Sequence, residues 1–124
     1  MGTAIDDIRT VGVPVTDQDR AVEFYVGVLG LEKRLDVPVQ WLGGRWIEVA
    51  PPGARTTIAL IPARPGTATG VQTQIRLATA DAGALRDELL AREVEVGDLL
   101  RWEGAPPMFA VRDPDGNGLE VVQS

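Results

Sequence analysis

The sequence contains neither cysteine nor histidine. The absence of cysteine excludes disulfides, thiolate metal sites and cysteine nucleophiles. The absence of histidine removes the usual general base, the commonest metal ligand and the base that activates a serine nucleophile. Any catalysis by this chain would therefore depend on carboxylates, arginine, tyrosine or a bound cofactor.

Basic residues and long apolar runs are also scarce. The chain has 12 Lys and Arg against 18 Asp and Glu, and its formal net charge is −6. Since no basic cluster is interleaved with aromatic residues, nucleic acid is not expected as a partner. No apolar run is long enough to span a membrane, and the N-terminus is polar and acidic before its first apolar segment. We therefore expect no membrane partner and a cytoplasmic location.

The residues that are present indicate one α+β domain, residues 1–124, built from two similar halves. With 44% hydrophobic and 24% charged residues, the 124-residue chain can form a real core. Thr10 precedes Asp17 by seven residues, and Gln74 precedes Asp81 by the same seven, so the halves align at an offset of 64. Each half is predicted to be a βαβββ module. The modules cover about 5–62 and 71–123, with helices near 17–29 and 81–92 and a linker at 63–70.

The strands are predicted from β-branched residues and alternating polarity between turn signals. In the first half the segments are DIRTVGVPV, LEKRLDV, RWIEVA and TTIALIP; in the second they are VQTQIRLAT, VEVGDLL, PMFAVRD and LEVVQ. Asp17 and Asp81 are predicted to cap the two helices, and Gly30 to end the first. Tyr25 belongs to the apolar stripe of the first helix and is expected in the core.

The stretch RDPDGNGLEVVQ begins with the D-x-D-x-N-G spacing of a calcium-binding EF-hand loop. Loop position twelve, counted from Asp113, would need a bidentate carboxylate, but Ser124 occupies it. The segment after the loop is also typical of a strand rather than a helix. The stretch is therefore predicted to be a tight turn that leads into a strand carrying Glu120.

Two stretches resemble the vicinal-oxygen-chelate superfamily, which includes glyoxalase I, bleomycin-resistance proteins and extradiol dioxygenases. VGVPVTDQDRAVEFYVGVLGLEKR is similar to that superfamily's first strand and helix, and FAVRDPDGNGLEVVQ to its closing hairpin. The resemblance spans the whole chain. It implies a curved, cup-like mixed sheet with the helices on its outer face and a small organic molecule inside. Because the rims of such a sheet are apolar, we also expect a homodimer.

The resemblance further implies four positions that hold a metal in metal-dependent members: Thr10, Glu48, Gln74 and Glu120. Glu48 and Glu120 match the carboxylates those enzymes use, whereas Thr10 and Gln74 stand where histidine is common. Without imidazole, Zn²⁺, Ni²⁺ and Fe²⁺ would be held poorly. We expect no cofactor and no tightly bound transition metal. The alternative is a divalent cation such as Mg²⁺ or Mn²⁺ bound by Glu48, Gln74 and Glu120.

Strand alternation assigns the candidate ligand-binding side chains to one face of the sheets. The predicted set is Thr10, Trp46, Glu48, Gln74, Arg76 and Glu120. Because two carboxylates in one cavity repel each other, three arrangements are open. A divalent metal joins them; Arg76 pairs with one carboxylate while the other stays solvated; or a cationic organic ligand lies between the carboxylates and the indole of Trp46.

Two function classes follow from these observations. The first is a small-molecule-binding protein that sequesters or shields its ligand without turnover, as bleomycin-resistance relatives do. The second is an enzyme of the same fold, either a metal-dependent lyase, isomerase or dioxygenase or a metal-free enzyme, with Glu48 or Glu120 as the catalytic group. The absence of histidine favours the first class, and the two carboxylates favour the second.

Overall fold

The structure is a computed structural model that describes residue 2 and residues 4–124. The chain forms two compact units, the first extending to Thr67 and the second from Ala68 to Ser124. Each unit contains one sheet and a helical region, and the first unit also has a short 3₁₀ helix (Gln40–Leu42), so the predicted α+β class is confirmed. Within the described residues, no helix has the length and apolar character needed to cross a membrane.

The first unit contains a four-stranded sheet. Its strands are β1 (Thr10–Val15), β2 (Glu32–Val39), β3 (Gly44–Ala50) and β4 (Thr57–Pro62). Their order across the sheet is β1-β4-β3-β2. β1 runs parallel to β4, and the other neighbours are antiparallel. All four strands fall on predicted segments, and β2 is the outer strand next to β3.

The helical region between β1 and β2 has two parts, α1 (Gln18–Val22) and a π-helical segment (Glu23–Val28). The carboxylate of Asp17 accepts a hydrogen bond from the backbone N–H of Arg20 at 3.1 Å, as expected of an N-cap. Gly30 ends the region with a φ of 80°, a conformation that glycine adopts without steric cost. The predicted helix near 17–29, its cap and its terminator are therefore confirmed.

The second unit contains β5 (Gln72–Thr79), α2 (Ala82–Ala91), β6 (Met108–Arg112) and β7 (Gly118–Gln123). The sheet order is β5-β7-β6, with β5 parallel to β7 and β6 antiparallel to it. Asp81 caps α2 by accepting from the backbone N–H of Ala84 at 3.0 Å. The strand-helix order of the first unit is thus repeated here, as the offset of 64 residues predicted.

The prediction of a continuous strand over VEVGDLL is wrong. This segment makes only two isolated bridges, Val96 to Val111 and Leu100 to Met108. Between the two bridges, the register with β6 shifts by one residue. The backbone N–H of Gly97 donates to the carbonyl oxygen of Ala110 at 2.8 Å, whereas Leu100 pairs with Met108. A slip of this kind is a bulge, which leaves one residue unpaired and interrupts the strand.

Each unit has its own apolar core. In the first unit the fully buried side chains include Val13, Val15, Tyr25, Ile47, Val49 and Leu60. In the second unit they include Leu89, Phe109, Val111, Leu119 and Val121. The predicted inward positions Ile47, Val49, Leu119 and Val121 and the predicted core residue Tyr25 are among them, so strand alternation and helical periodicity identified these positions.

The turn before β7 is held together by Asp113 and Asn117, both buried. One carboxylate oxygen of Asp113 accepts from the backbone N–H groups of Asp115 and Asn117, each at 2.9 Å. Its other oxygen accepts from the side-chain amide of Asn117 at 2.9 Å. The Asn117 amide oxygen in turn accepts from the backbone N–H of Val71 at 3.0 Å. These side chains stabilise a turn, as predicted, and their oxygens are occupied by the protein itself.

Candidate functional site

A chain of polar contacts crosses the first sheet on the face that carries Trp46. The indole Nε1–H of Trp46 donates to one carboxylate oxygen of Glu48 at 2.7 Å. The hydroxyl of Thr57 donates to the other oxygen at 2.8 Å. Thr57 lies beside Thr10 in the register of β1 and β4, and their hydroxyl oxygens are 2.8 Å apart. The Thr10 hydroxyl also lies 3.1 Å from the Thr57 carbonyl oxygen, to which it can donate.

Glu48 is buried, with 5% of its surface exposed, and it carries a negative charge. Burial alone would raise the pKa of its carboxyl group, but hydrogen bonds from Trp46 and Thr57, aided by the charge of Arg9, lower the pKa overall. The guanidinium of Arg9 is 3.9 Å away and its side chain is 81% exposed, so its contribution is screened by solvent. One arrangement expected from the sequence has Arg76 paired with one glutamate while the other stays solvated. Glu48 is not solvated, so this part of the expectation is wrong.

Two aliphatic side chains lie beside this polar chain. The register of β2 and β3 pairs Leu35 with Glu48 and Val37 with Trp46, so all four side chains share one face. Leu35 is 36% exposed and Val37 is 40% exposed, so the two form a small apolar surface on this face. Sequence reasoning did not include either residue in the site. The signal was available as the i, i+2 spacing of Leu35 and Val37 in LEKRLDV.

On the opposite face of the same two strands, ion pairs lie beside the buried side chains of Ile47 and Val49. Arg45 contacts Asp36 on β2 at 3.0 Å and Asp19 at the start of the helical region at 2.8 Å. Lys33 contacts Asp36 at 3.0 Å. Hydrogen bonds from Arg45 and then Lys33 lower the pKa of the Asp36 carboxyl group. The ionic groups of β2 and β3 are thus mostly separated from the face that carries the indole.

In the second unit, Arg76 and Glu120 are neighbours across β5 and β7. The Arg76 guanidinium lies 3.7 Å from a Glu120 carboxylate oxygen, and the two side chains are 62% and 35% exposed. Arg76 thus lies beside Glu120, and the role of both residues in a ligand site stays a prediction. An exposed pair at this distance contributes little to stability, about 0–1 kcal/mol.

Gln74, also on β5, has a backbone conformation that is rare for its residue type. Its φ is 64°, and the pairing of β5 with β7 shifts register between Gln72 and Arg76. The hydroxyl of Thr73 holds this bulge by donating to the carbonyl oxygen of Gly118 at 2.8 Å and accepting from the backbone N–H of Ile75 at 3.1 Å. The Gln74 side chain is exposed. Strained residues of this kind occur most often at binding and catalytic sites.

Comparison with known proteins identifies the family. The model of the glyoxalase/bleomycin resistance protein/dioxygenase superfamily matches residues 7–121. The chain belongs to this superfamily. No curated protein sequence matches the chain.

Solved structures of superfamily members are similar over nearly the whole chain. TnmS3, an antibiotic binding protein from Streptomyces sp. CB03234, is 32% identical with a TM-score of 0.88, and the match covers 98% of each chain. A glyoxalase/bleomycin resistance protein from the same Streptomyces strain is 32% identical with a TM-score of 0.81, covering 94% of this chain and 100% of that one. A superfamily member from Sphaerobacter thermophilus is 30% identical with a TM-score of 0.87, covering 98% and 100%.

The four metal positions implied by this superfamily divide between the units, with Thr10 and Glu48 in the first and Gln74 and Glu120 in the second. In the first unit both candidates are already used, because each oxygen of Glu48 accepts a short hydrogen bond and the Thr10 hydroxyl lies against Thr57. A cation at Glu48 would compete with the Trp46 and Thr57 donors in a buried place. Across the described residues, no three His, Cys, Asp or Glu side chains are grouped as metal ligands would be. The candidate oxygens of the first unit are therefore already engaged within the protein.

Proposed function

We propose that this superfamily member binds a small organic molecule without turnover, as a resistance or sequestration protein. The observation that carries the proposal is the partly exposed indole of Trp46, held by Glu48 and flanked by exposed Leu35 and Val37. An indole face with aliphatic neighbours is the lining that flat apolar ring systems require.

The charges on these faces favour a neutral ligand over a cation. The carboxylate of Glu48 already accepts two protein hydrogen bonds, and Glu120 lies beside Arg76. A cation would gain little from a carboxylate that is compensated in this way, and it would lose its own hydration. We therefore propose an uncharged aromatic ligand in place of the cationic ligand that the sequence analysis considered.

The likeness to TnmS3 supports the same class of function. That protein is an antibiotic binding protein and is 32% identical over 98% of this chain. We carry over to this chain only the class of ligand that TnmS3 binds. The proposed ligand is therefore an antibiotic-like organic molecule with an aromatic ring system. Metal-dependent turnover by Glu48 and Glu120 has less support, because Glu48 is engaged within the protein.

A set of three fluorescent compounds tests the proposal. N-phenyl-1-naphthylamine is neutral, 8-anilino-1-naphthalenesulfonate is its anionic analogue, and proflavine is a flat cation. We expect the neutral compound to bind best, and Trp46→Ala to weaken its binding about ten-fold through the loss of ring contact. Trp41→Ala is the matched control, because Trp41 is 78% exposed and lies outside the proposed site. Binding of proflavine alone, or equal binding by Trp46→Ala and the control, would contradict the proposal.

A further inference from the structure

We infer that Glu48 is a positioning residue that fixes the indole of Trp46 for a flat ring, and that it contacts neither the ligand nor a metal. The inference rests on the proposed function, because it assigns a role within the same site. It differs from the role that the superfamily's metal-dependent members give to this position, where a carboxylate is a ligand. Here the carboxylate is directed at a neighbouring side chain.

The geometry of β3 makes this contact possible. Trp46 and Glu48 are two residues apart on one strand, so their side chains project from the same face. The indole nitrogen and the carboxylate oxygen are 2.7 Å apart, a short bond typical of a charged acceptor. An indole has two rotatable side-chain bonds, and a hydrogen bond at its far edge restricts both. A ring held in this way loses less freedom when a ligand stacks on it.

Glu48 is in turn held by its neighbours on β4 and β1. Thr57 donates to the carboxylate oxygen that Trp46 does not use, at 2.8 Å, and is itself buried. Thr10 lies against the Thr57 hydroxyl at 2.8 Å. The side chains of Trp46 and Thr57, on two adjacent strands, therefore converge on one carboxylate, while 5% of Glu48 is left to solvent. Trp46 is partly exposed, whereas the carboxylate is enclosed.

Two substitutions of Glu48 separate its role in positioning the indole from the effect of its charge, because they differ in the hydrogen bonds that they can keep. In Glu48→Gln, the amide oxygen can accept from Trp46 and the amide N–H can donate to the Thr57 oxygen. The Thr57 hydroxyl proton can then turn to the Thr10 oxygen, 2.8 Å away. Glutamine therefore keeps the indole in place and removes the charge. In Glu48→Leu, of similar size, the indole loses its acceptor.

The experiment uses a Trp41→Phe, Trp102→Phe background, in which Trp46 is the single tryptophan. Both replaced side chains are exposed, at 78% and 57%. The indole N–H resonance of Trp46 and the affinity for N-phenyl-1-naphthylamine are measured for each Glu48 variant. Glu48→Gln should keep a hydrogen-bonded indole resonance and bind within about three-fold of the background. Glu48→Leu should move that resonance to the position of a solvent-exposed indole and bind about ten-fold more weakly.

Two results would overturn the inference. One is an indole resonance that Glu48→Leu leaves in place. The other is a loss of affinity in Glu48→Gln as large as in Glu48→Leu, which would mean that the ligand contacts the charge. If none of the three dyes binds to any variant, the proposed function fails, but the indole resonance still decides whether Glu48 positions Trp46.

Thr57 provides a second route if Glu48→Leu does not fold. Thr57→Val removes the hydroxyl that holds the second carboxylate oxygen, and Thr57→Ser restores it. The inference expects a shifted or broadened Trp46 indole resonance in the valine variant and the original resonance in the serine variant. Identical resonances in both would overturn it.

Discussion

Gln74 offers a test of backbone strain within a strand. It has a φ of 64° within β5. A residue with a Cβ in this conformation costs about 1–2 kcal/mol. Replacing it by glycine removes that strain but adds about 0.5–1 kcal/mol of chain entropy to the unfolded state. Gln74→Gly should therefore stabilise the protein by about 0.5–1 kcal/mol, which raises Tm by about 2–5 °C.

Glu93 is the matched control for this substitution. It has a φ of 61°, follows the end of α2 and is exposed. Its backbone N–H donates to the carbonyl oxygen of Leu90 at 3.0 Å, so the conformation ends a helix. Glu93→Gly should raise Tm about as much as Gln74→Gly, because both relieve the same backbone strain.

Thermal unfolding followed by two spectroscopic probes measures Tm for the parent and for both variants. A lower Tm for Gln74→Gly than for the parent would mean that the glutamine side chain stabilises the bulge, and the strain argument would be wrong. A rise in Tm for Glu93→Gly alone would lead to the same conclusion.

Four further predictions concern acid stability, the turn before β7, metal content and assembly. Folding lowers the pKa values of the Asp36 and Glu48 carboxyl groups. The stability that these groups contribute is therefore present above their unfolded-state pKa values of about 4 and is lost as pH falls through the folded-state values. The urea concentration at the unfolding midpoint should drop below about pH 4, and less steeply in Glu48→Gln. Asn117→Ala should cost about 2–4 kcal/mol in urea unfolding, because a fully buried side chain with two hydrogen bonds is lost. Protein purified without added metal should carry well under one equivalent of Zn²⁺, Ni²⁺ or Fe²⁺; a full equivalent that Glu120→Gln removes would contradict this. Sedimentation should give a homodimer, and a monomer at high concentration would refute it.

The regular parts of the fold could be predicted from sequence because they follow from local patterns. Alternation in VQTQIRLAT placed Arg76 on the face opposite Ile75 and Leu77, and the burial of β5 alternates in the same way. The two aspartate caps were predicted because a short acceptor at that position satisfies a free backbone N–H. The broken strand over VEVGDLL was missed, since its bulge depends on how Gly97 meets a partner strand, which the local pattern does not contain.

The state of the candidate site could not be predicted in the same way. Strand alternation placed Trp46 and Glu48 on one face, but Thr57, nine residues from Glu48, reaches it only after β4 has folded against β3. Whether a glutamate is solvated or enclosed depends on such contacts. The left-handed conformation of Gln74 likewise results from the register shift in β5, and glutamine carries no sequence signal for it.

The outer strand β2 has exposed apolar side chains and also several features that oppose pairing with another strand. An exposed apolar edge strand invites pairing with other chains and hence aggregation. On β2 this is opposed by Pro38, which has no N–H to offer, and by the bulge between Lys33 and Leu35. Arg34 is a charged residue on the same strand, and its guanidinium donates to the carbonyl oxygens of Pro51 and Ala54. The strand is therefore a poor template for another strand, although Leu35 and Val37 are exposed on it.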